Sequence, residues 1–389
     1  MIRRKILFIN GHLNAGGVER SLVDILKHID LKKYEVELLL LEGFGDYYNE
    51  IPMDIHIHLY NLNEVSGPFV KSIWKNIKKG NLFLIFFRIL MFLSKILTPK
   101  ILIAIRPFSI YSHKKYDIVI GFRPDAPTLF ATYIIKAEKR ISWWHHGSMN
   151  LNKKQKSVLE KEYLNNDKIV TVSKATAELL RANFPKITNK ILVIPNMVCR
   201  EDIFNKADNM KLNLSSDFKI VSIGRMSPEK NLEMCINVGK ELIKSNLSFH
   251  WYIIGDGACF ERIKSLISEN KVEQYFTLTG KLSNPYPYLK KADLLFHPSL
   301  VESQGLTILE SMALEVSVIC VESAGPKEFI RSGENGFLIK NDIKMASEKI
   351  KLLGRNTQLR KSFINRGILT VESYSPDKIM SQIDGVLNI

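Results

Sequence analysis

Short apolar runs alternate with helical patterns along most of the chain. Between residues 18 and 29, apolar positions recur every three to four residues, which is typical of a helix with one buried face. In the first half, the runs that suit buried parallel strands are residues 5–9, 35–41, 117–121, 140–144, 168–172 and 191–194. Strands that alternate with helices predict a parallel sheet covered by helices.

The second half of the chain repeats this alternation. Its apolar runs are residues 219–223, 250–254, 276–279, 293–297 and 317–321, and helical patterns include 232–245 and 305–314. The fold class is therefore α/β, with two doubly wound, Rossmann-like domains. Ligands of such sheets bind at the carboxyl ends of the strands, so we expect the active site in the cleft between the two facing domains.

The boundary between the domains is expected just after the run 191–194. An N-terminal domain of residues 1–196 would precede a C-terminal domain of residues 197–370, and the polar stretch 200–216 would serve as a linker. The four cysteines lie far apart without metal-ligand spacing, which favours small buried side chains in a reducing compartment. The basic start of the chain is followed by too short an apolar run for a secretory signal, so we expect a cytoplasmic protein.

Residues 66–115 form a basic, apolar insertion within the first domain. They contain ten of the 55 Lys and Arg residues and none of the 40 acidic ones, and so hold two thirds of the net charge of +15. No apolar run reaches the ~18 residues of a membrane-spanning helix. An ordinary buried helix pair with solvated lysines would fit, but the absence of acidic residues favours an element that lies on an anionic membrane surface. Nucleic acid is disfavoured because no binding motif for it is present.

The most specific motif combines two carboxylates with a helix start. Glu302 and Glu310 stand eight residues apart, directly after the run 293–297, and Gly305 lies at the turn between strand and helix. A helix start presents unpaired N–H groups and partial positive charge, which suit a phosphate. Gly305 lets a ligand approach the backbone closely. The carboxylates suit the hydroxyl groups of a ligand.

A second loop with cations also leads from a strand into a helix. Arg225 and Lys230 follow the run 219–223. Either residue alone would be read as a solvated surface charge. Two cations on a loop of the same sheet as Glu302 could together neutralise a diphosphate.

The first domain offers weaker candidates at equivalent positions. Gly16 and Gly17, followed by Glu19 and Arg20, lie between the first strand and the first helix, where paired glycines allow close approach of an anion. The pattern is not Gly-x-Gly-x-x-Gly, so an NAD site is not supported.

Two adjacent histidines end another strand of the first domain. His145 or His146, after the run 140–144, could position or polarise a substrate hydroxyl. A polar strand terminus without a catalytic role would also explain them, and the residues alone leave open which of the two is used.

Together these motifs resemble the family-four retaining glycosyltransferases, which have the two-domain GT-B fold. The residues that carry the resemblance are Glu302 and Glu310 of an E-x7-E motif, Gly224, Arg225, Lys230 and Asn231 of a Gly-Arg…Lys-Asn loop, and Gly16, Gly17, Glu19 and Arg20 of a Gly-Gly-x-Glu-Arg opening. The Ile-Pro-Asn at 194–196 and the glycine-rich segment 325–337 match as well, so the resemblance extends from the first strand to about Lys340.

The resemblance implies a role for each candidate residue. Arg225, Lys230 and the amides of Leu306 and Thr307 after Gly305 would bind the phosphates of the donor. Glu310 would hold the ribose, Glu302 the transferred sugar, and the strand-end histidine of the family maps best to His145. Gly16 and Gly17, with Glu19 and Arg20, would form a loop for the acceptor or the diphosphate. The last segment, 371–389, would be a helix that crosses back to the N-terminal domain.

The function that the resemblance implies is transfer of a sugar from a nucleotide-diphosphate donor, with UDP favoured over GDP. The acceptor would be a glycan or a polyprenyl-diphosphate-linked molecule in the biosynthesis of a surface polysaccharide, at the inner face of the cytoplasmic membrane. We expect no cofactor beyond the nucleotide sugar and, without an Asp-x-Asp pair, no metal. The alternatives are a nucleotide-sugar epimerase of the same fold and a membrane-surface binding protein that has lost catalysis.

Overall fold

Two compact units make up the chain in the computed structural model, which describes residues 3–60, 69–78, 80, 82–96, 99–108, 114–208, 212–214, 217–245 and 247–388. The first unit comprises Met1–Ile194 together with Met380–Ile389, and the second comprises Pro195–Ile379. The last helix begins at Pro376, and its residues from Met380 onward belong to the first unit.

The first unit has one parallel sheet in its described part. Its strands are β1 Arg4–Asn10, β2 Tyr34–Leu40, β3 His56–Leu59, β4 Tyr116–Gly121, β5 Ala137–Trp144, β6 Lys168–Thr171 and β7 Ile191–Val193. The α-helices are α1 Gly17–His28, α2 Phe69–Lys78, α3 Leu82–Ile96, α4 Ala126–Leu129, α5 Lys153–Leu164 and α6 Lys174–Asn183. The strand order is β3-β2-β1-β4-β5-β6-β7.

The centre of this sheet is buried on both faces. Four consecutive residues of β1, Ile6 to Ile9, have no exposed surface, although neighbouring side chains in a strand point to opposite faces. Burial on both faces is what a run of apolar residues without alternation predicts. The strand order reverses between β1 and β4, which makes the carboxyl ends of these strands the expected place for a ligand.

The second unit repeats this architecture. Its strands are β8 Phe218–Ile223, β9 Phe249–Ile254, β10 Phe276–Gly280, β11 Leu294–His297, β12 Ser317–Val321 and β13 Phe337–Ile339, all parallel and in the order β10-β9-β8-β11-β12-β13. The helices are α7 Arg200–Asp208, α8 Glu233–Ile243, α9 Phe260–Glu269, α10 Tyr286–Lys290, α11 Leu306–Ala313, α12 Ile343–Arg355, α13 Thr357–Val371 and, shared with the first unit, α14 Pro376–Asn388. The strand order again reverses at β8 and β11, whose following loops carry the motif with Arg225 and Lys230 and the motif with Glu302 and Glu310.

The predicted α/β class with two Rossmann-like domains is confirmed, and every predicted strand is present within a few residues. Two edge strands, β3 and β13, were not predicted from the sequence. The prediction of a linker at 200–216 was wrong over its first part, since Arg200–Asp208 is helical. Ile203 and Ala207, four residues apart, are buried in the core of the second unit, and Phe204 between them packs against that core.

The basic insertion, 66–115, is helical where the structure describes it. It contains α2, α3 and a 3₁₀ segment, Pro99–Phe108. Leu90 and Leu102 are buried. Large apolar side chains on α2 and α3 are nevertheless exposed, namely Trp74, Ile77, Leu82, Phe86, Ile89 and Phe92. Within the described residues, no helix has both the length and the apolar character needed to cross a bilayer.

Two loops at the carboxyl edge of the second sheet are joined through their backbones. The Met226 amide donates to the carbonyl of Asp256 (2.9 Å), and the Gly224 amide donates to the carbonyl of Ile254 (3.0 Å). Gly255 has a φ of +146°, and a Cβ atom there would lie 1.9 Å from the Gly224 carbonyl oxygen. Gly255 therefore allows the loop after β9 to support the loop that carries Arg225.

We expect Gly255→Ala to destabilise the protein by about 1–3 kcal/mol or more, because the new methyl group meets both a disfavoured φ and the neighbouring backbone. Thermal unfolding measures the change. Gly385→Ala is the matched control. Gly385 lies within α14, and a Cβ atom there would meet no neighbouring atom within 4 Å. There alanine should raise stability by up to about 1 kcal/mol. A Gly255→Ala protein that melts like the parent would contradict this account of the loop.

Candidate active site

The two motif loops of the second unit are held together by hydrogen bonds. The Leu300 amide donates to the carbonyl of Glu229 (2.9 Å), and the side-chain amide of Asn231 donates to the carbonyl of Pro298 (3.3 Å). Asn231 adopts a left-handed conformation with a φ of +53°, which asparagine tolerates better than most residues. The loop after β8 and the loop after β11 thus form one surface.

Glu302 is the centre of this surface. The ammonium group of Lys230 lies 2.5 Å from Glu302 Oε1, and Nε2 of His297 lies 2.8 Å from the same oxygen. The Glu302 side chain is only 11% exposed. Within the described part of the chain, the contacts of Lys230 and His297 are both made to Oε1 of this carboxylate.

The surroundings of Glu302 keep it ionised. Burial alone would raise the pKa of this carboxyl, but the hydrogen bond and charge of His297 and the charge of Lys230 outweigh burial and lower the pKa to about 2. The carboxylate is therefore charged throughout the neutral pH range. A buried anion of this kind can accept hydrogen bonds from hydroxyl groups but cannot donate a proton.

The start of α11 lies directly after this carboxylate. Gly305 precedes the helix with a φ of +93°, a conformation that favours glycine. Leu306 and Thr307 are the first residues of the helix, so their amides have no acceptor in an earlier turn. Free amides and the positive end of the helix dipole can bind an anionic group here.

Glu310 lies one turn into the same helix. The hydroxyl of Tyr286, from α10, donates to Glu310 Oε1 (2.9 Å) and so fixes the carboxylate. Arg225, on the loop after β8, is exposed. The structure therefore brings Lys230 and Glu302 into contact and places Gly305, Leu306, Thr307 and Glu310 on one helix start.

In the first unit, the loop between β1 and α1 is organised around Glu19. Its carboxylate is buried and lies 3.7 Å from His12 Nδ1 and 3.8 Å from Arg123. Burial raises the pKa of Glu19, although hydrogen bonds and the nearby cations partly oppose this. A Cβ atom at Gly16 would lie 2.6 Å from Glu19 Oε2, so the carboxylate packs over Gly16, and Gly17 begins the helix.

Arg20 faces a different set of partners. Its guanidinium makes two hydrogen bonds to Glu50, of 2.8 and 2.7 Å, and stacks 4.0 Å over the ring of Tyr47. A buried bidentate pair of this kind holds α1 to the segment around Glu50. The structure thus gives Arg20 a role in supporting the loop, and ligand binding by Arg20 stays a prediction.

The two adjacent histidines differ in their surroundings. His145 directly follows β5, is 7% exposed and packs against Phe122, with the ring centroids 4.9 Å apart, whereas His146 is exposed. Burial, together with the charges of His146 and Arg123, lowers the pKa of His145 to about 3, so its imidazole is neutral. Among the described residues, no group forms a hydrogen bond with the buried Nε2 atom of His145.

Three residues of these two regions were not assigned from the sequence. His297 ends β11 next to the carboxylate motif, and Arg123 follows β4, so their positions at strand ends were a signal that could have identified them. Tyr286 gave no signal, because it contacts Glu310 on another helix, 24 positions away in the sequence. No group of three or more His, Cys, Asp or Glu side chains in the described ranges is arranged to hold a metal ion.

Two protein-family models match consecutive parts of the chain. The model described as "Glycosyltransferase Family 4" matches residues 15–202, and the model described as "Glycosyl transferases group 1" matches residues 205–370. The boundary between the two matches lies close to the boundary between the two units.

Relatives with curated names are also glycosyltransferases. The chain is 26% identical over 385 residues, 94% of either protein, to an N-acetylgalactosamine-N,N'-diacetylbacillosaminyl-diphospho-undecaprenol 4-alpha-N-acetylgalactosaminyltransferase of Campylobacter jejuni. It is 30% identical over 199 residues to a poly(ribitol-phosphate) alpha-N-acetylglucosaminyltransferase of Staphylococcus aureus, a match that spans 49% of this chain and 40% of that protein.

Solved structures share the fold over the whole chain. HepE of Anabaena, crystallised with UDP, superposes with a TM-score of 0.72 and covers 99% of each chain, at 16% sequence identity. The family matches and the named relatives all indicate a glycosyltransferase, and the two parallel sheets match the fold of the solved structures. The chain belongs to the group 1, family 4 glycosyltransferases and has the two Rossmann-like domains of the GT-B fold.

Proposed function

We propose that the protein is a retaining glycosyltransferase that uses a nucleotide-diphosphate sugar, with UDP as the nucleotide. The observation that carries the proposal is the contact between Lys230 and the buried, ionised Glu302, directly before the helix start at Gly305. A cation and free amides suit a diphosphate, and a carboxylate suits the hydroxyls of a sugar. UDP is favoured because HepE was crystallised with it.

The charged groups at this site are opposite in sign to the charges that develop during sugar transfer. Cleavage of the bond between sugar and phosphate leaves positive charge on the sugar and negative charge on the diphosphate. Arg225, Lys230 and the amides of Leu306 and Thr307 would stabilise the diphosphate where its charge develops. The acceptor would attack from the face that the diphosphate leaves, and the leaving phosphate would take the proton of the acceptor.

The remaining candidate residues would hold the parts of the substrates that do not react. Glu310, fixed by Tyr286, would bind the ribose hydroxyls. The neutral imidazole of His145 can accept or donate a hydrogen bond without carrying charge, which suits a sugar hydroxyl. The loop with Gly16, Gly17 and Glu19 would contact the acceptor or the diphosphate.

The acceptor would be a glycan or a polyprenyl-diphosphate-linked molecule in the assembly of a surface polysaccharide. The name of the Campylobacter relative includes a diphospho-undecaprenol acceptor, and that protein matches nearly all of this chain. A lipid-linked acceptor requires the enzyme to work at a membrane surface. We expect this surface to be the inner face of the cytoplasmic membrane.

The helices α2 and α3 support a membrane contact. Leu82, Phe86, Ile89 and Phe92 follow one another at intervals of three or four residues, so they share one face of α3, and all four are exposed. The surrounding segment, 66–115, contains ten basic and no acidic residues. An exposed apolar face next to basic residues fits the interface of an anionic bilayer.

A panel of nucleotides tests the donor assignment. We expect UDP and one or more UDP-sugars to raise the melting temperature more than GDP or GDP-sugars do, because a ligand that binds only the folded state stabilises it. Chelation of divalent metals with EDTA should leave the shift unchanged, since Lys230 and Arg225 neutralise the diphosphate. A shift that only GDP compounds produce, or one that EDTA abolishes, would count against the assignment.

Removal of the central carboxylate tests catalysis. Glu302→Gln should lower the rate of sugar transfer by about a hundredfold or more, because an ionised group next to the reacting sugar is lost. Release of UDP from the UDP-sugar measures the rate. Glu315→Gln is the control: it removes the partner of Arg200 at an exposed site and should change the rate less than about twofold. Equal rates for the two variants would exclude the proposed role of Glu302.

Flotation with liposomes tests the membrane contact. The protein should float with vesicles that contain anionic lipid, and high salt should weaken binding. Replacement of Phe86, Ile89 and Phe92 by Ser should reduce binding by about tenfold or more, because apolar area is lost from the interface. Leu352→Ser with Leu369→Ser, which removes exposed apolar side chains from α12 and α13, should have no effect. Equal loss in both sets of variants would contradict the assignment to α3.

A further inference from the structure

Glu302 accepts hydrogen bonds from two donors that differ in mobility. Lys230 is a long, flexible side chain on the loop after β8, and this side chain is 25% exposed. His297 is the last residue of β11, in the centre of the sheet, and its side chain is 4% exposed. Both contact the same oxygen, Oε1. The histidine is therefore fixed in place, whereas the lysine can move.

A diphosphate at this site competes with Glu302 for Lys230. The proposed function requires the ammonium to bind the phosphates of the donor, while in this structure it lies 2.5 Å from Glu302. A buried carboxylate that loses its only partner is costly, because its charge is then left uncompensated. Without a second donor, Glu302 would hold Lys230 back from the ligand.

We propose that His297 is a positioning residue that keeps Glu302 paired and oriented while Lys230 turns to the diphosphate, an inference that rests on the proposed function. The Nε2–H group of His297 holds Oε1, so that Oε2 remains directed at the ligand. His297 thus acts on nucleotide binding through Lys230 and on the sugar through Glu302, without contacting either substrate.

The surroundings of the second ring nitrogen of His297, Nδ1, are consistent with this positioning role. Within the described ranges, no group forms a hydrogen bond with its buried Nδ1 atom. Among the described residues, the hydrogen bond from Nε2 to Glu302 is therefore the one that orients the ring.

A double-mutant cycle on UDP binding tests the inference. His297→Leu should weaken binding of UDP by about tenfold, because Glu302 then retains Lys230. In the Glu302→Ala background, no carboxylate competes for Lys230, so His297→Leu should change the UDP affinity by less than about twofold. Isothermal titration calorimetry with UDP measures all four proteins and does not depend on knowledge of the sugar.

Two further variants separate positioning from a general loss of structure. His297→Gln places a side-chain N–H near the position of the imidazole Nε2–H and should recover most of the UDP affinity. His250→Leu removes a histidine from the neighbouring β9 whose Nε2 pairs with Thr277 at 2.8 Å, and it should leave UDP affinity unchanged. Melting temperatures show whether each variant is folded.

The outcomes distinguish this inference from the proposed function. If the parent protein binds UDP but His297→Leu has no effect, or has the same effect with and without Glu302, His297 does not act through Glu302 and the inference is wrong. If the parent protein binds neither UDP nor GDP, the proposed function itself is wrong, and the inference with it. Coupling between His297 and Glu302, with recovery by Gln, supports the inference.

Discussion

The candidate site depends on one buried negative charge and the two groups that compensate it. Glu302 is ionised inside the protein because Lys230 and His297 both contact its Oε1 atom. Removal of either partner from a buried anion costs far more than loss of an exposed ion pair. The loops after β8 and β11 are consequently tied to each other through this charge as well as through their backbone hydrogen bonds.

The parallel sheet explains why these groups can meet at all. Lys230 and Glu302 are 72 residues apart in the chain, but their loops follow β8 and β11, which are neighbours in the sheet. All strands of a parallel sheet end at the same edge, so the loops that follow adjacent strands lie next to each other. The same geometry in the first unit places Glu19, Arg123 and His145 after β1, β4 and β5, three consecutive strands of that sheet.

Residues at strand ends were predictable from the sequence, whereas their partners were less so. The apolar runs located the strands, and the loops that follow them contain Lys230, Glu302 and Gly305. The ion pair of Arg20 with Glu50 and the contact of Tyr286 with Glu310 depend on packing between segments distant in sequence, which periodicity does not reveal. The helix at Arg200–Asp208 was missed because two buried side chains in a polar segment are too weak a signal.

The most direct test of the account is a crystal structure with UDP bound. We expect the diphosphate at the start of α11, with the ammonium of Lys230 and the amides of Leu306 and Thr307 within about 3 Å of its oxygens. Glu302 should still accept a hydrogen bond from His297. A diphosphate bound away from Gly305, or a Glu302 side chain turned away from His297 towards solvent, would contradict the central claim.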